Sequence, residues 1–171
     1  VSNMNRMRKV LIADDEVKVG QLVKRLIQWD RLGLTCIGLV TDGQTAYEKI
    51  LSESPDIVIT DIRMPVLTGL EMIQKASEQG VKCHFIVVSG YKYFDYAQKA
   101  LKYGVEDYLL KPIDEDELNR QLQKIVAEEE QREDKQQQVD QIEKKLEDSK
   151  YLRHKEFLRQ ILSQKQENID A

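Results

Sequence analysis

Five short apolar runs alternate with amphipathic stretches over the first 113 residues, and this alternation limits what the chain can fold into. The runs are Lys9-Val10-Leu11-Ile12-Ala13, Thr35-Cys36-Ile37-Gly38-Leu39-Val40, Asp56-Ile57-Val58-Ile59-Thr60, Phe85-Ile86-Val87-Val88 and Tyr108-Leu109-Leu110. Continuous apolar runs of this length, without polar alternation, suit strands buried on both faces, as in a parallel sheet. Between them, Val19, Leu22, Val23 and Leu26 follow helical spacing, as do Ala46, Tyr47, Ile50 and Leu51 up to Pro55. A loop with Pro65 and Gly69 leads to a helix carrying Leu70, Ile73 and Ala76, and Phe94, Ala97 and Leu101 mark a fourth. The pattern predicts an α/β fold, a doubly wound parallel sheet with helices on both faces. Right-handed crossovers leave few topologies, and 2-1-3-4-5 is the common order for five strands.

A length of 171 residues allows one domain and an extension. No apolar run reaches the ~18 residues that span a bilayer. The opening Val1-Ser2-Asn3-Met4 lacks a basic-then-apolar signal pattern, so a cytoplasmic protein with no membrane partner is expected. Cys36 and Cys83 lie inside apolar runs without metal-ligand spacing and read as small buried hydrophobes. His84 and His154 have no ligand-like neighbours. Acidic and basic residues balance at 15 each in 1–114, and stand at 15 to 11 in 115–171. Neither part has the basic excess of a nucleic-acid binder, so DNA contact by these residues is not expected.

After Pro112 the chain has no proline or glycine, and Glu, Gln, Lys and Asp dominate. Leu118, Leu122 and Ile125 read as the core face of a last domain helix. Leu118, Ile125, Val139 and Leu146 share one heptad phase that Arg132 interrupts. Helix from 115 to 166 would extend roughly 75 Å at ~1.5 Å per residue, too long and too polar to fold back onto one small domain. Residues 126–150 admit two readings, a solvated helix or a parallel dimeric coiled coil. Farther on, Leu152, Phe157, Leu158, Ile161 and Leu162 resume apolar spacing, as though beginning a further module.

Parallel strands share one C-terminal edge, where ligands bind near the switch point of the strand order. The polar residues predicted there are Asp14 and Asp15, Asp61, Ser89 and Lys111. Taken singly, each has a plain structural explanation: helix caps for Asp14, Asp15 and Ser89, a solvated lysine for Lys111, a loop carboxylate for Asp61. Together they outweigh it, because clustered carboxylates repel and need a cation. All-oxygen ligation favours a hard ion, and Mg²⁺ takes one or two carboxylates together with phosphate oxygens. A carboxylate beside such an ion can act as a nucleophile toward phosphorus, forming an acyl phosphate.

Across roughly residues 7–125 the sequence resembles the receiver domain of bacterial two-component response regulators, whose fold is flavodoxin-like (βα)5. The resemblance rests on Val10-Leu11-Ile12-Ala13-Asp14-Asp15-Glu16, Asp61-Ile62-Arg63-Met64-Pro65 with Gly69, Ser89-Gly90, and Tyr108-Leu109-Leu110-Lys111-Pro112. It implies that Asp61 is the phosphoacceptor, and that Asp15, Asp61 and the Arg63 backbone carbonyl bind Mg²⁺ directly, with Asp14 acting partly through water. It implies that Lys111 pairs with the acceptor and then with a phosphoryl oxygen, and that the Lys111–Pro112 peptide is cis. Ser89 and Tyr108 resemble the pair that switches the face formed by the fourth helix, fifth strand and fifth helix. The implied partner is a cognate histidine kinase. A homodimer is implied through that face or the C-terminal helix. Such a chain is no enzyme beyond catalysing its own phosphorylation and dephosphorylation.

The stretch Ser89-Gly90-Tyr91-Lys92-Tyr93-Phe94-Asp95-Tyr96-Ala97, with Tyr108 to Ile113 and the Gln/Glu-rich helix, resembles regulators ending in an AraC-type helix-turn-helix domain. The expected organisation is a disordered or non-native segment at 1–6, a receiver at 7–125, and a helical linker at 126–171 cut before a DNA-binding domain. The alternative is a stand-alone receiver whose helical tail binds a protein partner. An aspartate-nucleophile phosphatase is disfavoured because no segment can supply a cap domain, and a nucleotide site because no Gly-rich loop follows the first run.

Overall fold

The structure is a computed structural model and describes residues 6–90, 99 and 102–169. The apolar runs form five strands: β1 (Arg8–Ala13), β2 (Leu34–Val40), β3 (Ile57–Thr60), β4 (His84–Ser89) and β5 (Val105–Leu110). All pair in parallel, in the order β2-β1-β3-β4-β5. The expected flavodoxin-like fold and strand order are thus the observed ones.

Alternation along the strands divides the core between the two sheet faces. Leu11, Ala13, Val58, Phe85 and Val87 belong to one apolar cluster, with Ala46, Ile50, Met72 and Ile73. Val10, Ile12, Ile57, Ile59, Ile86, Val88 and Leu109 belong to the other, with Val23, Ile27, Leu118, Leu122 and Ile125. The first cluster is covered by α3 (Gly43–Glu53) and α4 (Gly69–Glu78), the second by α1 (Val17–Leu26) and the start of α5 (Glu115–Ile169). A four-residue helix the periodicity did not reveal, α2 (Trp29–Leu32), precedes β2 and ends at Gly33, whose φ of 65° suits glycine. Within α1 the buried residues are Gly20 and Val23, while Leu22 is 45% exposed, because neighbours on a helix point about 100° apart. The predicted fourth helix at Phe94, Ala97 and Leu101 lies outside the described residues.

Local capping explains where α3 and α4 begin. The Asp42 side chain accepts from the Thr45 backbone N–H at 2.7 Å and opens α3. That hydrogen bond, followed by the one from the Thr45 hydroxyl, holds the Asp42 carboxyl below its ordinary range. Thr68 and Glu71 form a reciprocal capping box at α4. Cys36 and Cys83 are partly rather than fully buried, each packed against a core cluster. Burial, with Asp56 nearby, pushes the Cys83 thiol up to about 12.

The chain divides into two compact units, Val1–Val126 and Ala127–Ala171. In the first, Leu118 and Leu122 are fully buried and Ile125 nearly so, as their spacing predicts. Between them sits Asn119, a polar residue only 3% exposed. Its Oδ1 accepts from the Gln28 N–H at 2.9 Å, and its Nδ2 donates to the Leu26 and Glu115 carbonyls, both at 2.8 Å. One amide thus satisfies backbone groups at the end of α1 that would otherwise be orphaned by helix termination. The second unit is helical through Ile169, and its large apolar side chains from Val139 to Leu162 are exposed.

Asn119→Ala leaves the Gln28 N–H and Leu26 carbonyl without these partners and opens a small void. It is expected to cost about 2–3 kcal/mol in urea unfolding and to speed hydrogen exchange at Gln28. Unchanged exchange there would show that the amide does not depend on Asn119.

Candidate functional site

The parallel ladder delivers the polar residues to one edge. Register pairs Ala13 with Thr60, Thr60 with Val87, and Ser89 with Leu110. Asp14 and Asp61 therefore follow paired residues at the ends of β1 and β3, and Lys111 follows the residue opposite Ser89. Ladder-like hydrogen bonds continue past the strands: Asp14 N–H donates to Val40 O at 3.0 Å, Asp61 N–H to Ala13 O at 2.9 Å, and Lys111 N–H to Ser89 O at 2.9 Å. The backbone thus holds these residues before any side-chain contact forms.

Lys111 Nζ lies 3.1 Å from Asp14 Oδ2 and 3.2 Å from Asp61 Oδ2. Asp14 and Asp61 are 5% and 7% exposed, so both carboxylates lie largely out of water. The other oxygen of each is also occupied: Asp14 Oδ1 accepts from Glu16 N–H at 2.9 Å, and Asp61 Oδ1 from Ile62 N–H at 2.7 Å. Burial pushes the Asp14 carboxyl above its ordinary value; the Glu16 hydrogen bond and Lys111 offset this only in part. For Lys111 burial pulls downward, but Asp14 and Asp61 outweigh it and hold the ammonium above its ordinary value.

An open cleft of about 390 Å³ is lined by Asp15, Glu16, Asp61, Arg63, Gly90 and Lys111. Asp14 pairs with Lys111 beside this lining. Carboxylate oxygens of Asp14, Asp15 and Glu16 lie within 4.8 Å of one another. Oxygen donors that close, one of them desolvated and protonating more readily than usual, fit a hard divalent cation. Glu16 is the residue that pattern reading passed over. It is the third acid after β1, and its signal was masked by the two before it.

Ser89 is fully buried at the end of β4. It shares the alternation of Phe85 and Val87, which belong to the cluster against which the partly buried Tyr108 packs. The predicted switch pair thus stands on one face of adjacent strands. The Lys111–Pro112 peptide is cis.

The loop after Asp61 is tightly built. Leu67 N–H donates to Pro65 O at 2.8 Å, closing a three-residue turn around Val66. Val66 has a φ of 69°, a conformation that β-branched side chains resist. Farther on, a Cβ on Gly69 would overlap the carbonyl oxygen of Asp61. Glycine at 69 is therefore what lets α4 begin directly beneath the Asp61 backbone.

Comparison with known proteins agrees with this fold. The response regulator receiver domain family matches residues 10–123. The chain belongs to this family, the receiver domains of two-component systems. It is 46% identical over 122 residues to an uncharacterized transcriptional regulatory protein, YesN, of Bacillus subtilis, covering 71% of this chain and 33% of that protein. It is 35% identical over 120 residues to the transcriptional regulatory protein HptR of Staphylococcus aureus, covering 70% of this chain and 47% of that one. This chain thus spans a third to about half the length of these curated relatives. Among solved structures, the REC domain of AraT, a response regulator from Geobacillus stearothermophilus, aligns with a TM-score of 0.70 at 36% identity, covering 74% of this chain and 98% of that one. The response regulator domain of Thermotoga maritima CheB aligns with a TM-score of 0.64 at 26% identity, covering 71% and 98%.

Two outcomes follow from the geometry. Lys111→Ala removes the cation from two buried carboxylates and is expected to cost about 3 kcal/mol at pH 7. Folded Asp14 holds its proton more tightly than unfolded Asp14, so acidification toward the ordinary carboxylate range near 3.8 favours the folded form. The variant's deficit in urea unfolding should accordingly be smaller at pH 5 than at pH 7; an equal deficit would count against the ion triad. Gly69→Ala is expected to lower stability by at least about 2 kcal/mol through overpacking against the Asp61 backbone, readable as a drop in Tm.

Proposed function

We propose that Asp61 accepts a phosphoryl group from a cognate histidine kinase and that the modification alters the β5 face to control transcriptional output. The observation that carries this reading is the pairing of Asp61 with Lys111 at 3.2 Å on the wall of an open cleft. A carboxylate oxygen of Asp61 attacks phosphorus, an O–P bond forms, and the P–N bond of the donor phosphohistidine breaks, its electron pair returning to the imidazole. Lys111 shifts its ammonium from the acceptor carboxylate to a phosphoryl oxygen as charge moves outward. Asp15, Asp61 and the Arg63 carbonyl would hold Mg²⁺, with Asp14 contributing partly through water; when bound, the ion neutralises phosphoryl oxygens. Hydrolysis reverses the state: water attacks phosphorus and the Asp61 carboxylate leaves. On this reading the chain is no enzyme toward a separate substrate.

Ser89 would donate to the phosphoryl group, and Tyr108 would turn inward to fill the space it leaves, a local charge event that biases a two-state surface. Output in transcription is supported by the names of the relatives and would lie in a DNA-binding module outside these residues. A homodimer through the face of the predicted helix carrying Phe94, Ala97 and Leu101, β5 and the start of α5, or through the C-terminal part of α5, would couple receiver to output. Among the described residues no helix is long and apolar enough to cross a membrane, and the proposed setting is the cytoplasm.

With Mg²⁺ and acetyl phosphate, intact mass should rise by one phosphoryl group in the native chain and not in Asp61→Asn. Gain of the same mass by the variant would move the acceptor elsewhere.

A further inference from the structure

The second unit leaves an apolar row uncovered. Val139, Ile142, Leu146, Phe157 and Ile161 are between 41% and 59% exposed. At 100° per residue they fall within an arc of roughly 100°. Tyr151, Leu158 and Leu162, also exposed, widen the row toward its C-terminal end. A helix without tertiary cover is marginal in water, and an apolar row of this extent marks a contact surface.

Charge indicates what covers it. Residues 128–148 hold nine acidic and four basic residues, a net −5, whereas 150–165 hold five basic and one acidic, a net +4 with His154 neutral. Two copies aligned in parallel would set the acidic blocks side by side and likewise the basic ones. Turned end for end, each acidic block faces a basic one. Packed helices lie about 8–10 Å apart, within the ~8 Å to ~10 Å screening length of physiological salt, so the blocks interact. The acidic block also disfavours an anionic membrane surface as the occupant, although the basic amphipathic stretch alone would suit one.

We propose that this row is covered by the tail of a second copy of the chain in antiparallel orientation. The inference deepens the reading of the C-terminal helix as a homodimer contact and differs in direction from the parallel coiled coil that the heptad phase admits. In a pair crossing near Asp148, Val139 of one copy meets Phe157 of the other, and Glu143 meets Arg153. Lys150 and Arg153, which interrupt the row, then lie in the part of the crossing bordered by Glu143 and Glu147.

The test uses the full 171-residue chain, unphosphorylated, so that its result is independent of Asp61 chemistry. Sedimentation should show a dimer whose Kd rises at least tenfold in 1 M salt and at least tenfold in Leu146→Glu/Phe157→Gln. A spin label on Ser163→Cys, with Cys36→Ser and Cys83→Ala, should give an inter-copy separation of about 45 Å, from ~1.5 Å rise per residue. A separation below roughly 20 Å would mean parallel tails, and a chain that stays monomeric at millimolar concentration would mean no pairing; either overturns the proposal. So would a monomer whose tail is captured only by vesicles containing anionic lipid.

Discussion

Two carboxylates share one ammonium at the edge of the sheet, and the rest of the domain is arranged so that this can happen. Asp14 and Asp61 are too buried to be hydrated well, and at such depth unpaired charges cost several kcal/mol. Lys111 lies at hydrogen-bonding distance from both, and each carboxylate directs its second oxygen to a backbone N–H. The raised Asp14 shows that this compensation is incomplete. Asp15 and Glu16, which line the same cleft, add to its negative character.

The geometry of that triad is inherited from the strands. Neighbouring parallel strands lie about 4.8 Å apart. With Ala13 opposite Thr60, a one-residue step past each strand places both carboxylates within reach of one lysine. The lysine comes from β5, two strands from β3, and its length spans the gap that β4 leaves. Shorten that side chain or slip one register and the pairing is lost. Apolar burial on both sheet faces makes such slips costly, so packing energy is converted into positional accuracy at the edge.

Much of this was legible beforehand because it rests on patterns with short range in sequence. Unbroken apolar runs at 10–13, 57–59 and 85–88 report burial on both faces, and the polar residues that follow each run report the edge. What escaped reading did so for several reasons. The α2 turn is too short to show a period. Asn119 resembles any polar residue on a helix until Leu26 and Gln28 are brought beside it. The strained φ of Val66 follows from fitting a loop between Asp61 and α4, and nothing about valine announces it. Glu16 was hidden by its own company, since after two acids a third adds little contrast. The tail posed a different difficulty: one heptad phase could be found there, whereas the distribution of charge between its halves favours another alignment.

The three hydrogen bonds of Asn119 also bear on how the domain is made. The end of α1 is completed by a residue 91 positions later than Gln28 and 93 later than Leu26. A chain emerging from the ribosome therefore synthesises its first helix early but lacks the group that finishes it until almost the whole domain has been extruded. Closing a loop that wide costs chain entropy before the contact can offset it. The nascent domain would remain open along α1 until its last helix arrives, and closure of the two ends upon each other would mark the completed fold.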